Sequence, residues 1–379
     1  MIDWMKMNTW KKHWLPISAL AVMVVGGLGC STDIDLTAPY QRTPVVFSLL
    51  DAAQDTQWVR INRTWLGDGN QFDAAMVADS SEYPAADLQV QVTERMNGMS
   101  VRNWPLQDTV IQNKTENGIF YAPEHQMWYF VPKGGLNADA EYDFDLEIVG
   151  DSSAEATTNM IANQIGNITQ PPPGVANFKL GFVSLGFQTT YPDITFKWSS
   201  TAGAKRYDIT VMIHVMERIW EDLGHTVLLE EKERVVEWNI GSLSTNDDGG
   251  GQVLQKAVSG ERFFTTLTTQ LEEDPYITRV LGTWDGNVQI ARAIDFILTI
   301  ANDELATYLE INSPVTGVIQ ERPEYTNIKG GLGLFAARAS QGVYGIGYTT
   351  STIQYLMEGD ATAALNFCTP NPFSDFYCD

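Results

Sequence analysis

Trp58-Val59-Arg60-Ile61-Asn62-Arg63-Thr64-Trp65 alternates apolar and polar residues at a period of two. A helix would repeat at 3.6, so the stretch predicts a strand with one face buried and the other in water. Leu88-Gln89-Val90-Gln91-Val92 alternates more cleanly, and Tyr142-Asp143-Phe144-Asp145-Leu146-Glu147-Ile148 repeats the pattern. Val45-Val46-Phe47-Ser48-Leu49-Leu50 and Met127-Trp128-Tyr129-Phe130-Val131 are apolar runs of strand length. Gly67-Asp68-Gly69-Asn70 and Pro132-Lys133-Gly134-Gly135 separate them as turns. Short strands at this spacing predict an antiparallel sandwich.

The second half repeats the theme. Ile194–Trp198, a Gly203-Ala204 turn and Tyr207–Ile213 follow one another. A strand with an inward Trp, then a strand opening on Tyr, resembles a fibronectin type III module over about 25 residues. Further strands are expected at Val227–Leu229, Val235–Ile240 and Val288–Ile300, where Ile290, Phe296, Leu298 and Ile300 share one face. Ser259 is placed to cap a helix carrying Phe263, Phe264, Leu267 and Leu271. Asn302 is placed to cap another, with Leu305, Tyr308 and Leu309 as its stripe. The fold class expected is mainly β: two sandwich-like domains, of immunoglobulin or fibronectin III type, with a few inserted helices. The domains expected are 44–150 and 175–354. The Ser-, Thr- and Asn-rich segment 151–174, closing on Pro171-Pro172-Pro173-Gly174, connects them or holds one more strand in part, and 355–379 is a C-terminal tail.

The N-terminus carries an export signal. Lys6, Lys11 and Lys12 precede an apolar run from Leu15 to Leu28 that ends at Gly29-Cys30. A basic stretch, a short apolar core and small residues at the cut describe a secretory signal over 1–29. The run is shorter than the roughly 20 apolar residues of a membrane-spanning helix. Gly27-Leu28-Gly29-Cys30 resembles a lipobox, departing from it at Gly27, where Leu is usual. That resemblance implies lipidation of Cys30, with 30–43 as a polar tether. Asp33 and Asp35 soon after Cys30 favour display on the cell surface over the periplasmic face. Cys368 and Cys378 then remain as an even pair in an oxidising compartment, which predicts a disulfide.

The full chain has a net charge of −23, and removing residues 1–29 takes it to −25. So acidic a chain repels nucleic acid and anionic headgroups. No nucleic-acid partner is therefore expected.

No catalytic constellation is legible. Beyond His13 the histidines are His125, His214 and His225, and no pair has zinc-ligand spacing. His214 falls within a strand pattern and is expected to be half-buried. No nucleophile elbow, phosphate loop or dinucleotide fingerprint occurs. Asp247-Asp248-Gly249-Gly250-Gly251 reads as a turn, one acidic pair being too few oxygens for calcium. The expectation is a non-enzyme with no cofactor and no metal.

The most distinctive segment is Tyr325-Thr326-Asn327-Ile328-Lys329-Gly330-Gly331-Leu332-Gly333-Leu334-Phe335. Its glycines permit positive φ and close backbone approach, and Leu334-Phe335 resumes a strand. It resembles the TNI-x-GG-x-G-x-F signature of uncharacterised outer-membrane lipoproteins of the Bacteroidota. Those proteins also begin with strands similar to Val45–Leu50 and Val59–Arg63, so the resemblance runs from about residue 30 to 345. Members often accompany TonB-dependent transporters. The resemblance thus implies an outer-membrane β-barrel partner, and a lipid-anchored accessory subunit that docks on it. The alternative is a free-standing surface lipoprotein that binds glycan or peptide.

Overall fold

The computed structural model describes residues 40, 42–66, 69–114, 118–151, 153–161, 168–175, 177–247, 249–282, 293–313, 324–370 and 374–378. Cys30, the export signal and most of the tether lie outside the described residues, as do 288–292 of the expected strand Val288–Ile300.

The alternating segments form the first set of strands. These are β1 (Pro44–Asp51), β2 (Gln57–Arg63), β3 (Leu88–Met96), β4 (Met99–Pro105), β5 (Gln107–Gln112), β6 (Glu124–Phe130), β7 (Glu141–Ile148) and β8 (Ala154–Asn159). The second set is β9 (Lys179–Leu180), β10 (Asp193–Ser199), β11 (Arg206–Trp220), β12 (Leu228–Ser244), β13 (Val253–Ser259), β14 (Ile277–Leu281), β15 (Ile294–Ala301), β16 (Leu332–Tyr348) and β17 (Phe367–Cys368). The fold is mainly β and of sandwich type, with few helices.

The largest sheet runs β17-β14-β11-β15-β16-β1-β2-β6-β5, with β12 added beside β11 and β9 beside β16. A four-stranded sheet, β4-β3-β7-β8, faces one end of it, and the β10-β13 pair faces the other. Val46 and Leu50 of β1, Val59 and Ile61 of β2, and Val92, Phe144 and Leu146 of the smaller sheet build the first core. Phe182, Phe196, Trp198, Val211, Phe263 and Phe296 build the second. Phe182 stacks on Phe263 at 3.9 Å and Phe196 on Phe296 at 4.8 Å.

β16 belongs to both cores. Its Leu332–Arg338 half pairs in parallel with β1, and Arg338–Ile346 pairs antiparallel with β15 on the other edge. Phe335 and Ala337 enter the first core, whereas Ala339, Val343 and Ile346 enter the second. One long strand of a single sheet therefore contributes to both cores.

Each core uses a buried tyrosine to tie down a turn. The Tyr142 hydroxyl accepts the Asn137 N–H at 2.7 Å and donates to Glu94 at 2.9 Å. The Tyr207 hydroxyl accepts the Thr201 N–H at 2.7 Å, beneath Trp198. Burial raises both phenols above their ordinary pKa. Such an O–H satisfies a backbone group that would otherwise be stranded.

Three segments take forms the sequence pattern did not specify. The expected strands at Val227–Leu229 and Val235–Ile240 are not separate: Leu228, Leu229 and Val235–Ile240 belong to the single β12, and Val227 precedes it. β8, inside the Ser/Thr-rich 151–174 segment, pairs with β7 and buries Ala154 and Ala156 in the first core. Residues after 355 are also built in. Leu356, Leu365 and Phe367 join the second core, and β17 pairs with β14. The expected helices form as Gly260–Gln270 and Asp303–Asn312. Ser259 accepts the Glu261 N–H, and Asn302 accepts that of Leu305.

Candidate functional site

β1 is apolar on both faces. Val46 and Leu50 point into the core, so Phe47 and Leu49 must point outward by strand alternation. The helix Asp303–Asn312 packs over part of that outer face. Its Leu305 lies against Leu334 and Ala336 of β16, and its Tyr308 ring meets Phe47 edge-on at 6.2 Å. β2 lies across from the helix. Between them stays an open groove of about 510 Å³, walled by Phe47, Leu49, Trp58, Leu305, Tyr308 and Leu309. Phe47 is 40% exposed, Leu49 37% and Trp58 39%. Trp58 also packs on Tyr129 of β6 at 5.4 Å.

One end of the groove is polar and rigid. Asp51 is buried and faces Arg338 at 3.3 Å. Gln57, also buried, donates from Nε2 to the carbonyls of Asp51 and Gln54 and accepts the Asp51 N–H at Oε1. Those bonds fix the β1–β2 turn. The groove is thus an apolar slot with aromatic walls and one carboxylate–guanidinium pair. Its size suits one or two large side chains or a sugar ring.

Of the expected site residues, Cys30 lies outside the described residues, and the other two lie away from the groove lining. Cys368 and Cys378 are joined in a disulfide that closes the C-terminal loop beside Val280 and Met216. The Asp247 carboxylate accepts hydrogen bonds from Ser200 Oγ, the Gly249 N–H and the Gln252 N–H, which hold its pKa below the ordinary value. It organises its own loop. Among the described residues, no group of three or more His, Cys, Asp or Glu is placed to hold a metal ion.

His214 is half-buried in β11, as its place in the strand pattern predicts. Its Nδ1 lies 2.9 Å from Glu233 and its Nε2 3.0 Å from Asp295. The hydrogen bond to Asp295 is the largest cause of a raised pKa, opposed by desolvation and helped by Glu233. His125 behaves oppositely: burial lowers its pKa, with Arg60 and Lys114 adding to the effect.

A second cleft, about 430 Å³, opens beside Leu88–Gln91, Trp128, Asp145 and Glu147. Burial raises the Asp145 carboxyl above its usual range. Sequence reasoning did not single out the first groove. Its signal was a β1 with no polar face, which periodicity reads as a fully buried strand.

Among the described residues, no helix is long and apolar enough to cross a membrane. No protein-family model and no curated protein matches the chain. One of the solved structures that match is described as "Biofilm associated protein - BSP domain", at 8% identity and a TM-score of 0.13. The match covers 81% of this chain and 60% of that one, less than two thirds of its length. A likeness at that TM-score carries no argument.

Proposed function

We propose that the protein is a non-catalytic, lipid-anchored accessory subunit of the outer membrane that docks on a β-barrel of the TonB-dependent transporter type. The apolar groove supports this reading. Partly exposed Phe47, Leu49 and Trp58 form a slot of the kind that receives an aromatic or aliphatic anchor from a partner. The lipid on Cys30 adds to it, since tethering raises effective concentration and lets a modest interface be occupied. The resemblance of Thr326–Phe335 to the outer-membrane lipoprotein signature supplies the class of partner. Asp33 and Asp35 favour the cell surface.

The groove tests the reading. Leu49→Glu puts a charge into an apolar slot without touching the core face of β1. The expected result is a folded protein that no longer co-purifies with its barrel. A folded variant that keeps its partner would show that the groove is not the interface. A second reading is a free-standing binder of glycan or peptide. It is favoured by the Trp58–Tyr129 pair on one sheet face, on which a sugar ring could stack. A protein that extracts without a barrel and loses a measurable sugar affinity in Trp58→Ala would favour it for the groove.

A further inference from the structure

Large apolar side chains gather at one end of the first core. Trp65 and Leu66 follow β2, Phe72 and Met76 lie on and just after the helix Gln71–Ala75, and Ile119 and Phe120 precede β6. Each is between 42% and 67% exposed. Scattered exposed apolar residues need no explanation, but a contiguous patch does. These loops are tied together. The Tyr121 N–H donates to the Ala75 carbonyl at 2.8 Å, and Asn62 Nδ2 to the Ser81 carbonyl at 3.0 Å. The Arg63 guanidinium donates to the Asp79 carbonyl.

The first strand of the fold begins at this end. The Thr64 N–H donates to the Thr43 carbonyl at 2.9 Å, and the Thr43 N–H to Thr64 Oγ1 at 3.0 Å. Pro44 pairs with Arg63. Arg42 therefore departs beside Trp65. The segment from Cys30 to Gln41 has 12 residues, which span at most about 40 Å. An anchor on Cys30 keeps these loops within that distance of the bilayer.

We infer that this loop end seats in the headgroup layer of the bilayer that holds the Cys30 lipid, its apolar side chains entering as a shallow wedge. The inference rests on the lipidation reading. Trp and Phe suit that interface, where an apolar face enters by about 5–10 Å. The acidity of the chain points to zwitterionic headgroups over anionic ones. With the tether end on the membrane, β1 rises from it and carries the Phe47–Asp51 groove about 10–25 Å higher.

The test uses the lipidated mature protein with Phe72→Cys, labelled with an environment-sensitive fluorophore. Acylated Cys30 and the Cys368–Cys378 disulfide leave position 72 as the reactive thiol. Val253→Cys, at a side chain 71% exposed in the second core's smaller sheet, is the control. Vesicles contain phosphatidylcholine and phosphatidylethanolamine, with and without brominated chains. The protein should float with the vesicles, and the label at 72 should shift to the blue and be quenched by bromine. The label at 253 should stay aqueous. A protein that floats while its label at 72 stays aqueous overturns the inference and leaves the anchor standing. Shielding of position 72 only when a membrane-protein partner is added also overturns it, assigning the patch to protein docking. Failure to float at all overturns the lipid anchor, and the wedge with it.

Discussion

Asn327 holds the backbone of Phe335 with both ends of its side-chain amide. Its Nδ2 donates to the Phe335 carbonyl at 2.7 Å, and its Oδ1 accepts the Phe335 N–H at 2.9 Å. The amide thus stands in for a strand neighbour at the start of β16. Ile328 next to it is buried in the first core, and Lys329 exchanges backbone hydrogen bonds with Glu155 at the start of β8. The segment joins β16 to the smaller sheet while β16 itself pairs with β1. Phe335 then meets Phe144 across the core at 5.5 Å.

Asn327→Ala removes both bonds and should cost about 1–3 kcal/mol of stability. Asn327→Asp keeps the acceptor but sets a carboxylate against the Phe335 carbonyl, so it should cost at least as much. Urea unfolding checks the pair. An Asp variant as stable as the native protein would contradict the role given to Nδ2.

The glycines of the same segment serve the β1–β16 approach. A Cβ on Gly331 would sit 2.8 Å from the Pro44 carbonyl oxygen, and one on Gly333 only 2.0 Å from that of Val46. Gly333 also has φ +108°, where side chains are strained. Gly333→Ala should therefore destabilise more than Gly331→Ala, and Gly331→Val by about 1–3 kcal/mol or more. Barrel association of Gly331→Val should fall together with its stability. A Gly331→Val protein that folds normally and loses only its partner would move the segment into the interface.

Much of this architecture is legible from alternation alone, because β2, β3 and β7 each bury one face against a core. β12 is not. Its Glu230-Glu231-Lys232-Glu233-Arg234 stretch is exposed on both faces and is held by backbone pairing to β11, so it has no period to read. The pairing of β1 with β16 spans most of the chain and leaves no local trace. The groove was hidden for a related reason: nothing in Phe47 or Leu49 tells that the helix Asp303–Asn312 covers only part of their face. The tail was hidden because it is fastened by a residue far upstream.

That residue is Arg279. It is 1% exposed, and its Nε donates to Glu217 at 3.0 Å and its Nη1 to the Leu365 carbonyl at 2.9 Å. Nη2 donates to the Glu272 carbonyl at 3.0 Å. Arg279→Met leaves Glu217 buried without its cation and frees the tail, at a cost of about 3–5 kcal/mol. Glu217→Gln with Arg279→Met should recover part of that loss. Chemical denaturation of the single and double variants gives the coupling, and additive effects would refute the pairing.

His214 gives a pH dependence of known sign. Its folded pKa lies above the ordinary 6.5 because protonated imidazole donates to Asp295 and Glu233. The stabilisation is complete below the unfolded value and is lost as pH rises through the raised folded value. His214→Gln should therefore destabilise strongly at pH 6 and less at pH 9. A penalty that does not change between the two would show that the ring is neutral in the fold.

Extraction of the native membrane in mild detergent, followed by size separation and mass analysis of whatever accompanies the protein, tests the central proposal most directly. The account predicts a chain beginning at acylated Cys30 in stoichiometric complex with an outer-membrane β-barrel. A protein that extracts alone and binds a sugar or peptide by itself would contradict it.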